Sequence, residues 1–144
     1  MKFKYKRFRL LPTSAFPQRK YLLRPIIPVL IGYGEKQIGY EALLDSGADF
    51  CIFHAEIGEY LGIPVLDGKK EFFGGVTSGN AVAFVHKVNL TIGGNSYPEI
   101  SIGFSFDIAP HGYGILGQEG FFNFFRVGFD LEKEEIELRP KLIS

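Results

Sequence analysis

The chain has a single cysteine, no net charge and no long apolar run, and each absence disfavours a class of protein. A lone Cys51 cannot form an internal disulfide, so nothing implies an oxidising compartment. The 16 basic and 16 acidic side chains cancel, which gives no general reason to expect binding to nucleic acid or to an anionic membrane. No apolar run approaches the ~20 residues of a membrane helix, and the N-terminus lacks the apolar segment of a signal peptide. We therefore expect a cytoplasmic protein with no membrane or nucleic-acid partner.

Histidine is also scarce, and its spacing disfavours a metal site. His54, His86 and His111 are widely separated, and none stands four residues from another histidine or a cysteine or in a Cys-x-x-Cys pattern. A catalytic pair of Cys51 with a histidine is disfavoured for the same reason. We expect no metal and no cofactor.

Aromatic and small residues are abundant, and they indicate the fold class. The chain is 46% apolar, with 15 Phe and 7 Tyr, enough for one hydrophobic core. Its 18 Gly and 8 Pro separate short segments rich in β-branched and aromatic residues, which is typical of an all-β domain. We predict hairpins from strands at 24–31 and 37–44, at 82–92 and 96–104, and at 126–130 and 134–138. Two short helices are predicted at 54–61 and 118–125.

The first 23 residues form a basic and aromatic N-terminal arm. Between Met1 and Arg9, five basic residues alternate with Phe3, Tyr5 and Phe8. One interpretation is a frayed or strand-like arm with a solvated basic face, as is common at termini. The other is an arm that contacts an acidic partner.

The most informative segment places an aspartate where an apolar strand turns sharply. Residues 41–44 and 50–53 are largely apolar, and Asp45-Ser46-Gly47 begins the turn between them. An Asp and a Gly alone indicate only a turn. The apolar flanks, however, would place the Asp45 carboxylate at the bottom of a cleft with little water, where an unpaired charge is unfavourable. A second carboxylate close by would let the pair share one proton, which supplies the acid and the base that peptide hydrolysis requires.

Two segments resemble the hallmarks of the retropepsin-like aspartic proteases. Leu43-Leu44-Asp45-Ser46-Gly47-Ala48-Asp49 looks like their active-site turn, and Gly114-Ile115-Leu116-Gly117 resembles the apolar-apolar-Gly segment that supports it. A Gly-rich hairpin at 72–79 lies between them, where the family has its flap. The resemblance implies that residues 24–144 form a closed acid-protease-type β-barrel, with the arm at 1–23 outside it.

The resemblance also implies roles for individual residues. Asp45 would be the catalytic carboxylate, the Ser46 hydroxyl would brace the turn of a second subunit, and Gly47 would let backbone approach substrate. The expected substrate-binding residues are Ala48 and Asp49 on the turn, with Phe73, Gly74, Gly75 and Val76 in the flap. Relatives often have Arg directly after the apolar-apolar-Gly segment, paired with the second Asp. This chain has Gln118 there, which leaves the partner of Asp49 open.

A single Asp-Ser-Gly turn supplies only one catalytic carboxylate. The family therefore implies an aspartic endopeptidase that acts as a homodimer on peptide or protein substrates. The alternative is a catalytically inactive dimerisation or peptide-binding module of the same fold. Gly112-x-Gly114-x-x-Gly117 also matches a dinucleotide-binding fingerprint, but too few residues follow for the crossover helix and parallel strand that it needs.

Overall fold

The structure, a computed structural model, describes residues 1–74, 81–110 and 112–141. Its strands are β1 (Lys2–Lys4), β2 (Lys6–Arg9), β3 (Tyr21–Arg24), β4 (Ile26–Tyr33), β5 (Lys36–Leu44), β6 (Ile52–His54), β7 (Lys69–Phe73), β8 (Ala81–Ile92), β9 (Asn95–Ser105), β10 (Gly114–Leu116), β11 (Phe125–Asp130) and β12 (Glu135–Pro140). The helical elements are α1 (Ala55–Tyr60) and one 3-10 turn at Val65–Asp67.

Six strands close into a barrel, which confirms the predicted all-β architecture. Their order is β4–β5–β10–β6–β9–β8, and β8 pairs again with β4 to complete the ring. β7 pairs with the first residues of β8, on the edge opposite β9. Most pairs are antiparallel, but β10 runs parallel to β5 and β6 runs parallel to β9.

Alternation along the strands fills the barrel with apolar side chains. In β4, Ile27, Val29 and Ile31 are buried, whereas Pro28 and Leu30 between them face solvent. Pro28 has no amide hydrogen, and it lies outside the part of β4 that pairs with β8. The largest fully buried side chains are Phe53, Phe104 and Phe121, each with no exposed surface.

The three predicted hairpins and the first predicted helix are confirmed. The hairpins are β4–β5, β8–β9 and β11–β12, with ends within two residues of the expected ones. Helix α1 begins after His54, whose Nδ1 accepts a hydrogen bond from the Glu56 amide at 3.1 Å. This bond satisfies one of the free amides of the first turn.

The second predicted helix, at 118–125, is wrong, because the segment folds as consecutive turns. Gly120 has φ +97°, a conformation that no α-helix contains. The amides of Phe122 and Asn123 donate to carbonyls five residues back, at 3.1 and 3.0 Å, rather than four back. Gly120 packs so closely against the Ser101 carbonyl that tertiary contact overrides the helix favoured by the charges at the two ends of the segment.

The N-terminal arm forms strands. β1 pairs with β12, which makes a three-stranded sheet in the order β1–β12–β11, while β2 pairs with β3. Basic side chains of the arm contact acidic side chains of the same chain, with Lys6 2.7 Å from Glu41 and Arg7 2.7 Å from Glu134. Within the described ranges, no helix has the length and apolarity needed to cross a membrane.

Gly120→Ala tests the tertiary override. A Cβ at this position would lie 2.9 Å from the Ser101 carbonyl oxygen and would force an unfavourable positive φ. We expect a loss of about 3 kcal/mol in the free energy of unfolding, from backbone strain and overpacking together. Gly34→Ala is the control, because Gly34 also has positive φ but its Cβ would meet nothing within 4 Å. Urea titrations of both variants should show a clearly smaller loss for Gly34→Ala; equal losses would contradict the packing argument.

Candidate active site

The candidate site lies where the chain crosses the end of β10. β10 is inserted between β5 and β6, parallel to the first and antiparallel to the second. Residues 45–51 connect β5 to β6, so they must pass over the end of the inserted strand. Asp45 is the first residue of this crossing.

Backbone hydrogen bonds hold the start of the crossing as a tight turn. The Asp45 amide donates to the Leu116 carbonyl at 3.0 Å, and the Ala48 amide donates to the Asp45 carbonyl at 3.1 Å. The Gly47 amide donates to Asp45 Oδ1 at 2.9 Å, as in an Asx turn. These three bonds fix the main chain and one carboxylate oxygen of Asp45.

The other carboxylate oxygen of Asp45 is free to act. The side chain is partly buried, and in the described part of the chain its only hydrogen bond is the one from Gly47. A carboxylate held by one oxygen and open at the other can bind a water or share a proton with a second carboxylate.

The segment after β10 forms backbone hydrogen bonds with the rest of the crossing. The amides of Gln118 and Glu119 donate to the carbonyls of Ala48 and Asp49, both at 2.9 Å. The Cys51 amide donates in turn to the Glu119 carbonyl at 3.2 Å. Backbone groups of Asp45, Ala48, Asp49 and Cys51 are therefore paired within the protein, which limits the movement of the turn.

Gly117 permits this close approach. A Cβ on Gly117 would lie 2.5 Å from the Phe50 carbonyl oxygen and 2.7 Å from that of Ala48, distances at which the two segments could not stay together. The glycine that ends the apolar-apolar-Gly segment thus allows two stretches of backbone to contact each other directly.

Gln118 contacts the turn through its side chain as well. Its Nε2 donates to the Ser46 carbonyl at 3.0 Å. The Asp49 carboxylate is exposed, and no described residue makes an ion pair or hydrogen bond with it. Gln118 therefore braces the residue after Asp45, and Asp49 has no side-chain partner among the described residues.

The Ser46 side of the turn faces solvent. Ser46 and Gly47 are exposed, and an open depression of about 390 Å³ lies beside them. Its lining residues are Ser46, Gln118, Glu119, Phe122 and Asn123. The hydroxyl of Ser46 is thus accessible to a neighbouring molecule.

The expected flap residues are only partly described. Phe73 ends β7, and its ring packs edge-on against that of Phe50 with centroids 6.1 Å apart. Gly74 follows with φ +138°. Gly75 and Val76 lie outside the described residues. The contact between Phe73 and Phe50 brings the expected flap strand against the residue that follows Asp49.

Sequence reasoning missed two groups of residues around the site. Phe50 was not predicted as a site residue, because a Phe after such a motif is typical of a hydrophobic core. Ser105 and Asp107 were missed too: Ser105 Oγ donates to the Val82 carbonyl at 2.6 Å, and Asp107 Oδ2 accepts from the Val82 amide at 2.9 Å. Together they fix the first residues of β8 beside β7. The sequence signal for these two residues was a Ser-x-Asp spacing at the end of a strand, but that spacing does not indicate which residue they contact.

Cys51 closes the crossing and is chemically quiet. It is fully buried, and the Gly117 amide donates to its Sγ at 3.4 Å. Burial raises the pKa of the Cys51 thiol to about 12, an effect that the Gly117 hydrogen bond partly offsets. Across the described ranges, no three His, Cys, Asp or Glu side chains lie together as metal ligands.

Solved structures share this architecture. The chain is similar to a retropepsin-like aspartic protease from Rickettsia conorii, with a TM-score of 0.57 over 96% of this chain and 92% of that chain, at 14% identity. It is also similar to the EIAV protease in complex with the inhibitor HBY-793, with 25% identity, a TM-score of 0.46, and coverage of 66% of this chain and 82% of that chain. No protein-family model and no curated protein matches the chain. Its fold is retropepsin-like.

The raised pKa of Cys51 predicts both its reactivity and a pH effect on stability. In the native protein at pH 8 we expect negligible alkylation by iodoacetamide, whereas the urea-unfolded chain should react fully. The unfolded thiol ionises above its ordinary pKa of 9.0 and the folded one only near 12, so stability should fall as pH rises between these values.

Cys51→Ala isolates this pH effect. The variant should be less stable than the wild type at pH 8, because it leaves a small cavity, but that difference should shrink by pH 10.5, about midway through the window. Denaturant titrations at both pH values measure it. A stability difference that stays the same at both pH values would contradict the assignment.

Proposed function

We propose that this protein is an aspartic endopeptidase that acts as a homodimer, with the two Asp45 carboxylates activating one water. The observation that carries the proposal is the state of Asp45 in a retropepsin-like fold: its main chain and one oxygen are fixed, and its other oxygen is open. Pre-positioned groups of this kind lower the barrier because they need little reorganisation during the reaction.

A second copy is required by the chemistry. A single carboxylate cannot be the base and the acid of the same step, and the chain has one Asp-Ser-Gly turn. Two like carboxylates about 3 Å apart cannot both ionise, so the pair holds one proton between them. A two-fold axis beside Asp45 would bring two such turns together.

The exposed surface beside the turn is suited to this arrangement. Ser46 and the depression next to it are open to solvent, so the turn of a second copy could approach from that side. Residues 135–137 of the C-terminal strand β12 offer no free edge, because β1 and β11 already pair with its two sides there. The interface would therefore use the turn around Ser46 rather than this part of β12.

In the reaction, the ionised Asp45 would take a proton from the water, which attacks the scissile carbonyl. The protonated Asp45 of the other copy would donate to the carbonyl oxygen and so stabilise the tetrahedral intermediate. The β7–β8 hairpin would pair with the backbone of an extended peptide, and Ala48 and Asp49 would lie beside that peptide. Phe73, seated on Phe50, would line the apolar part of that contact.

Asp45→Asn should abolish cleavage of an unfolded protein substrate and leave the melting temperature nearly unchanged. Asn has the same shape and can still accept from the Gly47 amide, but it cannot share a proton. Asp67→Asn is the control, since Asp67 is an exposed carboxylate in the 3-10 turn Val65–Asp67, outside the crossing. Cleavage by the Asp45→Asn variant would contradict the proposed mechanism. A wild-type chain that dimerises without cleaving any peptide would favour the inactive-module alternative.

Mixing the two chains tests the shared site directly. If each active unit needs two Asp45 side chains, adding about nine parts of Asp45→Asn chain to one part of wild type should lower activity per wild-type chain to about one tenth, once subunits exchange. Adding Asp67→Asn chain instead should not lower it. If the Asp45→Asn chain also leaves activity per wild-type chain unchanged, each chain works alone and the dimer is excluded.

A further inference from the structure

The neutral total charge hides an uneven distribution of charge along the chain. Residues 1–24 contain eight basic and no acidic side chains. All 16 acidic side chains lie in residues 25–144, with only the other eight basic ones, so formal charges of +8 and −8 cancel. Residues 1–24 therefore carry a strong net positive charge although the net charge of the whole chain is zero.

The first part of the arm is neutralised by the body. Lys6 pairs with Glu41 and Arg7 with Glu134, while Lys2 and Lys4 lie 3.8 and 3.6 Å from Glu135. The remaining cations have no carboxylate within 4.0 Å in the described part of the chain; they are Arg9, Arg19, Lys20 and Arg24. All four belong to the hairpin formed by β2, β3 and the tip at 10–20 that joins them.

The body holds the base of this hairpin firmly. The Phe8 ring packs edge-on against Tyr113 at 6.0 Å, and the Lys6 ammonium lies over the same Tyr113 ring at 5.3 Å. Arg7 makes two hydrogen bonds to the Glu134 carboxylate, both 2.7 Å. The hairpin thus has a fixed direction relative to the barrel.

The tip is ordered, apolar and exposed. The Leu10 amide donates to the Lys20 carbonyl at 3.1 Å, and the Phe16 amide donates to Thr13 Oγ at 3.1 Å. Residues 10–18 carry no charge, yet Leu11 is 85% exposed and Phe16 is 61% exposed. Arg9 stands directly before this uncharged stretch, and Arg19 and Lys20 stand directly after it.

We propose that the tip of this hairpin docks the protein on the surface of an anionic lipid bilayer. Leu11 and Phe16 would enter the boundary between headgroups and acyl chains, a depth of about 5–10 Å. Arg9, Arg19 and Lys20, only a few residues behind, would then lie at the level of the anionic headgroups.

The chemistry of the tip favours lipid over the other anionic partners. A nucleic acid would need bases stacked on aromatic rings, and the uncharged stretch offers a single aromatic side chain, Phe16, which already has the Arg19 guanidinium 5.5 Å from its ring centre. The acidic body of a second copy would attract the cations but gives no reason for an exposed Leu11 between them. A bilayer surface presents anions directly beside an apolar phase and so matches both features of the tip.

Vesicle binding with a fluorescent probe tests the proposal. The chain has no tryptophan, so Phe16→Trp introduces a single reporter. With phosphatidylcholine vesicles that contain about 30% phosphatidylserine, we expect its emission to shift to the blue and to be quenched by brominated lipid, since the surface is strongly anionic. Neutral phosphatidylcholine vesicles should give at most weak binding. Leu66→Trp is the control reporter, because Leu66 is 69% exposed at a distant turn and should show no shift.

Charge and apolar variants separate the two contributions. Arg19→Gln with Lys20→Gln should weaken binding to the anionic vesicles about 20- to 30-fold, at about fivefold for each cation. Leu11→Ser with Phe16→Ser should weaken it at least about tenfold. The control, Leu66→Ser with Lys69→Gln and Lys70→Gln, removes one exposed apolar side chain and two cations elsewhere and should leave vesicle binding unchanged. Thermal melts establish that each variant is folded.

Three results would overturn the proposal. One is no binding to anionic vesicles, or equal binding to neutral and anionic vesicles. Another is an equal loss of binding in the Leu66→Ser, Lys69→Gln and Lys70→Gln control. The third is a blue shift of the Phe16→Trp protein produced without lipid, either by an oligonucleotide, which would indicate a nucleic-acid site, or by raising the protein concentration, which would indicate contact between copies.

Discussion

The insertion of β10 between β5 and β6 is the constraint on which the candidate site depends. Consecutive strands separated by a third must be joined across its end, and that crossing would bury backbone groups unless they found partners. The main chain of 116–119 supplies those partners, and Gly117 lets the two segments touch. Asp45 is positioned by this crossing rather than by a surface loop: the crossing fixes its main chain, and the Gly47 amide fixes one oxygen of its carboxylate.

Local sequence patterns predicted the hairpins and the site motif because their signals lie within a few residues. Turn glycines, period-two alternation and the Asp45-Ser46-Gly47 turn are all short-range. The segment at 118–125 failed for the opposite reason: Glu119 near its start and Arg126 just after its end favoured a helix, but Gly120 is fixed by contact with Ser101 in another strand. The same limit applies to Gln118, whose partner at Ser46 depends on strand insertion, and to Phe50, whose contact with Phe73 depends on the sheet.

The N-terminal arm shows the same limit in its charge. Its alternating basic and aromatic residues indicated a frayed or strand-like arm, but the acidic residues that it meets are mostly at the other end of the chain, as in the pair of Arg7 with Glu134. The Met1 ammonium likewise donates to the Leu138 carbonyl at 2.9 Å. Long-range pairing of this kind uses part of the positive charge and exposes the rest at one hairpin. A total charge of zero could not distinguish that arrangement from an evenly mixed surface.

The proposed dimer and the proposed membrane contact make compatible demands on this chain. The crossing is complete within one copy, so association would order little backbone, and most of the interface energy could go into bringing two carboxylates together. β12 pairs with β1 on one side and with β11 on the other, so the sheet that contains the start of the arm forms within one copy. The free cations and Leu11 lie on the hairpin, whereas the open depression lies beside Ser46. Because different residues carry the two surfaces, one can be altered without changing the other.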